Sequence, residues 1–507
     1  MNELIELAGL LYKQKISQIK LITDDDSSAV KLKELYEAIL NGNVSSDDEG
    51  IEKLYNNDQS KLKNLSRLKN RLKSRLINTL FFIDIENFAS SRYEVALHKC
   101  TRNYLAVILL LDRNRRKTAL QLAEKTLRLA IRFDIVEVVM LLARRLNKHF
   151  LLFDFNSRKA DYFEQLYTEY QDYYIQEVEA DRIYSHFGHL IAARKRNEEA
   201  MVKLFNDLLI LLPHRNQNKT FMFNFYVFNA LYYYFILKQD YKKLLSVSSE
   251  AIDFFQAKEG FSKVGIFTFL LQKGYCQLIL FKPLEALVSF NKAKEQGPAE
   301  GGFNWFGINS LIFTNLLVLK RYNDAFSLLN DNINHKNFDK LPEQYKELWL
   351  IKEAYIEFLV RMGKIDHSTL EENGHEKFRL GKFLNKVPYF NKDKRGLNIS
   401  ILIVQMLHLL AEKKYSQFID RMDALNQYSY RYLRNDDTLR SNAFIKMILK
   451  LPDAHYHPEA VKRHTSKFYE RMKESPMQLS EYFSDVEIIP YEELWDIVLE
   501  LLEKNRS

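Results

Sequence analysis

Apolar residues recur at every third or fourth position along most of the chain, a spacing that places them on one face of an α-helix. From about Thr118 these amphipathic stretches come in pairs, and each pair is joined by a short polar corner. A small or apolar residue opens the second helix of each pair; these residues are Ala200, Leu244, Ala286, Ala325, Ser368 and Phe418. Their separations of 44, 42, 39, 43 and 50 residues indicate a loose repeat of helical hairpins over residues 118 to 430.

Polar stretches divide the chain outside this repeat. Two acidic patches, residues 23–28 and 41–50, predict loops between the first helices, and a strongly helical run follows from Ser60 to Ile83. The last stretch, YEELWDIVLELLEKN, is amphipathic and predicts a helix that caps the stack. We therefore expect four regions: an N-terminal helical segment with acidic loops and a basic amphipathic helix (1–95), a helical array (96–370), a basic and aromatic insertion (371–399), and a C-terminal helical block with a cap (400–507).

The composition favours helices throughout. The 507 residues include only 15 glycines and 9 prolines, with no proline before Pro213. Helices need few of these turn-forming residues, whereas sandwiches and barrels need many. We therefore predict an all-α protein, built as a superhelical solenoid of stacked antiparallel helix pairs. The 29 tyrosines and 35 phenylalanines gather in runs such as FMFNFYVFNALYYYF (221–235), which favours rings packed between hairpins over a stacking platform for bases.

One pair, residues 274–298, resembles the tetratricopeptide repeat. It matches the small residue of the first helix, the two alanines and the aromatic residue of the second helix, and the closing proline; these are Gly274, Ala286, Ala293, Phe290 and Pro298. It departs from the family at Gln277, where a tyrosine is usual, and at Phe281, where the corner usually has a glycine. Ala286 and Ala293 lie seven residues apart, hence on one face, where small side chains let two helices approach closely.

The other pairs match this family less well, through Tyr241 with Ala251, Tyr322 with Ala325, and Tyr415 alone. Their spacing also exceeds the length of about 34 residues that is typical of the family. The resemblance implies a degenerate tetratricopeptide-like α-solenoid, whose concave face would bind a peptide or a partner protein. The C-terminal tail resembles those of bacterial proteins, which implies nothing about chemistry.

Sequence motifs for catalysis are not found. No GxxxxGK[ST], GxGxxG or GxSxG motif is present, and an HExxH-like start at His375 and Glu376 fails because Arg379 stands where the second histidine belongs. Other candidate groups are His455, His457 and His464 near Asp453, the pair His186 and His189, and the ribonuclease-like spacings Arg92 to His98 and Arg144 to His149. Because such spacings arise readily by chance, we predict no catalytic, cofactor-binding or metal-binding residues, and no cofactor.

The cysteines and the hydropathy of the chain indicate the cellular compartment of the protein. Cys100 and Cys276 are the only cysteines, and they lie in apolar helical segments without CxxC spacing. Buried free thiols in a reducing compartment explain this pattern. The N-terminus lacks the basic and apolar regions of a secretory signal, and no window approaches the ~20 apolar residues of a membrane span. We therefore expect a cytoplasmic protein that does not bind a membrane.

Basic residues gather in two places, although the formal net charge of the chain is only +8. In KLKNLSRLKNRLKSRLINTLFFI (61–83), leucines form an apolar stripe on a helical wheel, whereas Lys63, Arg67 and Arg71 project away from it. The interpretation that we favour is an outer helix that docks its leucines and leaves a solvated basic face. The alternative is a surface that binds phosphates or an acidic partner.

The second basic cluster, EKFRLGKFLNKVPYFNKDKRG (376–396), interleaves basic and aromatic residues. Its candidate contact residues are Lys377, Arg379, Lys382, Lys394 and Arg395. Such a segment either grips single-stranded nucleic acid by charge and stacking, or packs its rings inward while its lysines face water. We favour the packed loop.

The sequence thus favours a non-enzymatic interaction protein that holds a peptide or a partner protein in the groove of a solenoid. One alternative is a solenoid associated with nucleic acid through residues 61–75 and 377–395, and a shared face for these two clusters would favour it. A second alternative is a hydrolase or nuclease whose residues come from distant repeats. Because eroded repeats do not fix the phase of the helices, the sequence assigns no residue to the groove.

Overall fold

The computed structural model of the chain describes residues 1–13, 27–87, 89, 91–192, 197–258, 260, 262–372, 378–387, 397–432, 439–474 and 487–506. These residues form α-helices joined by turns and by short 3-10 helices, and no β-strand occurs among them. The prediction of an all-α protein is therefore confirmed. The helices belong to two compact units, Met1–Gln171 and Asp172–Ser507.

The first unit is built from α1 to α7 and the beginning of α8. Their bounds are α1 (Asn2–Lys13), α2 (Ser27–Leu40), α3 (Asp47–Tyr55), α4 (Leu62–Leu80), α5 (Arg92–Asp112), α6 (Arg116–Arg132), α7 (Val136–Leu152) and α8 (Ser157–Ala192). Helices α1 to α4 bury an apolar core of their own, whereas α5 packs on α6 and α6 on α7. The leucine stripe predicted for α4 is buried in that core at Leu65, Leu68, Leu72 and Leu76, but Leu62 at its start is exposed.

One predicted acidic loop is partly wrong. Of residues 41–50, only 41–46 form a connection, because α3 begins at Asp47. The Ser46 side chain accepts a hydrogen bond from the backbone N–H of Glu49, whose carboxylate accepts one from the backbone N–H of Ser46 at 3.1 Å. This reciprocal pair is a capping box, and its S-x-x-E pattern is a helix start. In the other patch, residues 23–26 lie outside the described residues and Ser27 already begins α2.

The second unit contains the remainder of α8 and the helices that follow it. These are α9 (Glu198–Leu211), α10 (Phe221–Leu237), α11 (Tyr241–Gln256), α12 (Val264–Ile279), α13 (Pro283–Gln296), α14 (Phe303–Val318), α15 (Tyr322–Ile333), α16 (Glu343–Arg361), α17 (His367–Glu372), α18 (Leu380–Lys386), α19 (Leu397–Ala411), α20 (Tyr415–Tyr432), α21 (Leu439–Leu449), α22 (Pro458–Lys473) and α23 (Tyr491–Arg506). From α9 to α16 each helix packs on the next one in the chain. Helix α16 also packs on α19, and from α19 to α23 each helix again packs on the next.

The corners between paired helices share one backbone conformation. The second residue after the end of the first helix adopts a positive φ of 56°, 56°, 57°, 70° and 57° at Gln239, Phe281, Lys320, Gly363 and Lys413. At the second of these, the N–H of Lys282 donates to the carbonyl of Gln277 at 2.8 Å, the long bond of a Schellman motif. Each left-handed residue lies five positions before a residue predicted to open a second helix, so these corners are confirmed.

The two alanines for which a close approach of helices was predicted, Ala286 and Ala293, are fully buried. Leu244, Ala286, Ala325 and Phe418 are all fully buried. Ser368 lies at the start of the short helix α17, as predicted, and is exposed there. In the pair that resembles the tetratricopeptide repeat, Gln277 takes the tyrosine position and accepts a hydrogen bond from the Ser289 hydroxyl at 2.7 Å.

The C-terminal helix α23 is amphipathic as predicted, and it buries Leu494, Trp495, Val498, Leu501 and Leu502. Its acidic face lies against two earlier corners. The Tyr322 hydroxyl donates to Glu493 at 2.7 Å, and Lys364 pairs with Glu500 at 2.7 Å. The helix therefore contacts the sides of the α14–α15 and α16–α17 pairs.

A buried ion-pair network joins α21 to α23. The Arg440 side chain is 1% exposed and donates to both oxygens of Glu487, at 2.9 and 2.7 Å. It also donates to Glu492 at 2.8 Å and to the backbone carbonyl of Met472 at 2.9 Å. These bonds tie the ends of three helices together, and the carboxylates hold the guanidinium pKa above its ordinary value.

Candidate binding groove

A groove opens where α11 and α13 straddle α12. Its volume is about 620 Å3, and its floor is formed by the α12 residues Ile266, Leu270, Lys273 and Gln277. One wall is the end of α11 and the other is the length of α13; the wall residues are Ile252, Asp253, Gln256, Glu285, Val288, Ser289, Lys292, Glu295 and Gln296. The groove therefore combines apolar side chains with both signs of charge.

Helix α13 carries two apolar side chains that face away from the core, and one of them, Val288, lines the groove. Ala286, Phe290 and Ala293 bury one face of α13, whereas Leu284 and Val288, on the opposite face, are 70% and 54% exposed. This second apolar face is visible in the sequence of α13, but the hairpin pattern alone does not predict it. Exposed apolar side chains that stand together mark surfaces for a partner.

A buried polar atom in the same groove has no partner in the described part of the chain. The side-chain carbonyl oxygen of Gln296 is inaccessible to solvent and accepts no hydrogen bond there. Burying a carbonyl without a donor costs about 1–3 kcal/mol, and because this oxygen is inaccessible it offers no contact point to a ligand. By contrast, Gln277 on the floor is satisfied, since it donates to Glu285 at 3.2 Å and accepts from Ser289.

The first basic cluster lies on α4 with its predicted cations outward. Lys63, Arg67 and Arg71 are all exposed. On the neighbouring flank of the helix, Lys69 pairs with Asp47 at 2.6 Å and Lys73 with Glu3 at 2.5 Å. A polar depression of about 550 Å3 borders that flank. The acidic residues of α1 and α3 thus neutralise one flank of α4 and leave the outer face positive.

The second basic cluster is described only in part. Lys377, Lys394 and Arg395 lie outside the described residues, so whether the two clusters share a face stays untested. Arg379 and Lys382 are exposed, and residues 380–386 form α18.

The aromatic residues of the described part pack inward. The Phe378 ring stacks on the buried imidazole of His408 with 4.9 Å between centroids, and Phe383 is buried. Burial lowers the pKa of His408 to about 4, and its Nε2 lies 2.9 Å from the carbonyl oxygen of Ala354. These rings are therefore unavailable for stacking on bases, in agreement with the favoured packed interpretation.

The histidines considered for chemistry do not converge. Among the described residues, no three His, Cys, Asp or Glu side chains come together as a metal site would require. His375 and Glu376 lie outside those residues. His149 stacks on Phe153 with 5.9 Å between ring centroids, and burial lowers the pKa of its imidazole, whereas Arg144 is exposed.

Comparison with other proteins adds no family. No protein-family model, curated protein or solved structure matches this chain. Within the ranges that the structure describes, no helix combines the length and the apolar composition needed to cross a bilayer.

Proposed function

We propose that this chain is a non-enzymatic interaction protein whose α11–α13 groove binds a peptide segment of a partner protein. The observation that carries the proposal is the groove: about 620 Å3 of open space lined by the exposed side chain of Val288 and by charged side chains of both signs. A peptide supplies apolar side chains and charges of both signs together, which would complement this surface.

The architecture that we propose is a degenerate tetratricopeptide-like α-solenoid. Two observations support it: the recurring left-handed corner, and hydrogen bonds between equivalent positions of successive pairs. The bonded residues are 42 or 43 positions apart; they are Gln272 and Asn229, Lys352 and Ser310, and Asn323 and Asp366. Stacked pairs of this kind present extended surfaces that bind protein segments.

The charges of the groove indicate what the peptide would carry. Lys273 rises from the floor and Lys292 from the α13 wall, while Asp253 and Glu295 stand on opposite walls. A segment with one apolar face and with both acidic and basic residues would complement this arrangement. We place the protein in the cytoplasm, where the two free and buried thiols, Cys100 and Cys276, would stay reduced.

Site-specific photo-crosslinking tests the proposal. A photoreactive amino acid would be placed at Val288 in the groove and, as a control, at the exposed Lys467 on α22. We expect a discrete protein adduct from Val288 in the native cell, absent from the control, and reduced at least tenfold by the additional change Lys273→Glu.

A peptide from the adducted protein would then be titrated against purified wild-type protein and the Val288→Arg variant. Loss of at least tenfold in affinity is expected, because a charged side chain would fill the apolar part of the groove. Equal adducts at Val288 and Lys467, or equal affinities for the two proteins, would refute the proposal.

A further inference from the structure

A second surface, separate from the groove, lies on the outer face of α4. We infer that this face binds single-stranded nucleic acid, with Lys63, Arg67 and Arg71 on the phosphates and Phe81 and Phe82 on the bases. The inference rests on charge, on hydrogen-bonding side chains and on exposed rings that occur together, and it does not depend on the proposed groove.

The charge of this face is uncompensated. Between Asp58 and Asp84 the sequence has no acidic residue. In the part of the chain that the structure describes, no acidic side chain pairs with Lys63, Arg67 or Arg71, unlike the neighbouring lysines of α4. The three cations follow one another every four residues, in steps of about 6 Å along the helix axis. They form a short row of positive charge that suits the phosphates of an extended strand.

Polar side chains between the cations extend the same face. Asn64, Asn70, Ser74 and Asn78 are all exposed, and all of them both donate and accept hydrogen bonds. Such side chains contact phosphate and sugar oxygens as well as base edges. An acidic protein would be matched by cations alone, whereas this mixture suits a nucleic-acid strand.

Two aromatic rings stand at the end of this row. Phe81 and Phe82 follow α4 directly and are 54% and 68% exposed. Phe81 is the C-cap residue of α4 and keeps a helical backbone conformation. It follows Lys63 by eighteen residues, which is about five full turns, so Phe81 and Lys63 lie on the same side of α4. Exposed rings beside a cationic row bind unpaired bases by stacking, which a duplex does not allow.

The buried side of α4 argues against a membrane as the occupant. Membrane-surface helices insert a broad apolar face between lipids. In α4 that face is occupied, since Leu65, Leu72 and Leu76 are buried against α1, α2 and α3. Leu62 and Ile77 on α4 and the two rings beyond its end are exposed, beside a face of amides, hydroxyls and cations.

Binding of a fluorescein-labelled oligouridylate to the purified full chain tests the inference. We expect binding whose affinity falls with salt at a logarithmic slope close to 2, since three neutralised phosphates of a single strand contribute about 0.7 each. The variant Lys63→Gln/Arg67→Gln/Arg71→Gln should lose most of that slope and at least tenfold in affinity. The variant Phe81→Ala/Phe82→Ala should lose about tenfold in affinity while keeping the slope.

A matched control comes from α22, where Arg463, Lys467 and Arg471 are exposed with the same four-residue spacing in a helix that also contains Glu459 and Glu470. Their replacement by glutamine should leave oligouridylate affinity within twofold of wild type. An equal loss in this control would overturn the inference, as would absence of oligouridylate binding. Equal or tighter binding to duplex DNA, to polyglutamate or to phosphatidylserine vesicles would overturn it too. All changes are at exposed positions, and circular dichroism would verify that each variant is folded.

Discussion

The ring of Phe290 lies against the backbone of Gly274: a Cβ atom added to that glycine would stand 2.5 Å from the ring. The glycine therefore sets how closely α12 and α13 approach. We predict that Gly274→Ala lowers the free energy of unfolding by about 1–2 kcal/mol, because overpacking outweighs the better helix propensity of alanine. Urea unfolding followed by circular dichroism measures this.

A second helical glycine separates the effect of overpacking from the effect of helix propensity. Gly381 is exposed within α18, and an added Cβ atom would meet nothing within 4 Å. Gly381→Ala should therefore leave stability unchanged or raise it by up to about 1 kcal/mol. Combining Gly274→Ala with Phe290→Leu should recover part of the loss. Equal effects of the two alanine substitutions would contradict the close-approach explanation.

At the corners between paired helices we predict one substitution that stabilises the protein and one that destabilises it. Phe281 holds a φ of 56° that favours glycine, whereas Gly363 occupies the equivalent corner with a φ of 70°. A side chain in this conformation costs about 1 kcal/mol. We expect Phe281→Gly to raise, and Gly363→Ala to lower, the midpoint of urea unfolding, each by the equivalent of about 1 kcal/mol. Shifts in the same direction would mean that side-chain contacts, not backbone strain, dominate at these corners.

The Arg440 network should be sensitive to removal of its cation. Arg440→Leu would leave two carboxylates, Glu487 and Glu492, without their counter-charge, and we expect a loss of about 3–5 kcal/mol in unfolding free energy. Adding Glu487→Leu should restore part of it. As a control, Arg361→Ala breaks a more exposed pair with Glu412 and should cost about 1 kcal/mol or less. Similar losses for the two arginines would argue against burial as the cause.

His408 predicts how stability depends on pH. Its pKa is about 4 in the folded chain, below the ordinary 6.5, so the unfolded chain binds an extra proton between these values. The contribution of His408 to the free energy of unfolding is constant above about pH 6.5 and is lost as the pH falls toward 4. The stability of His408→Leu relative to wild type should therefore improve by about 2.5 kcal/mol between pH 7 and pH 4.5.

The exposed His367 provides the comparison for that experiment. His367→Leu removes an imidazole from the surface and serves as the control for losing a histidine that is not buried. Chemical denaturation at the two pH values measures both differences. A constant difference for His408→Leu would show that its protonation is not linked to folding.

Local signals explain which predictions succeeded. The corners were predictable because a few consecutive residues determine a Schellman ending followed by a new helix, even where Phe281 replaces glycine. Features that depend on residues far apart in the chain were not predictable. Burial of Arg440 depends on Glu487, 47 residues away, and the position of Phe378 depends on His408 in another helix. The groove likewise needs three helices in place before Val288 can be recognised as part of its wall.

The contact between Tyr322 and Glu493 spans 171 residues, in a chain where most helices pack on a neighbour. During synthesis at about 5–20 residues per second, α15 would leave the ribosome roughly 10–30 s before α23 exists. Over that interval the apolar surface that later receives Trp495 and Val498 has no cover from its own chain. The nascent second unit therefore keeps that apolar surface exposed until the last helix has been made.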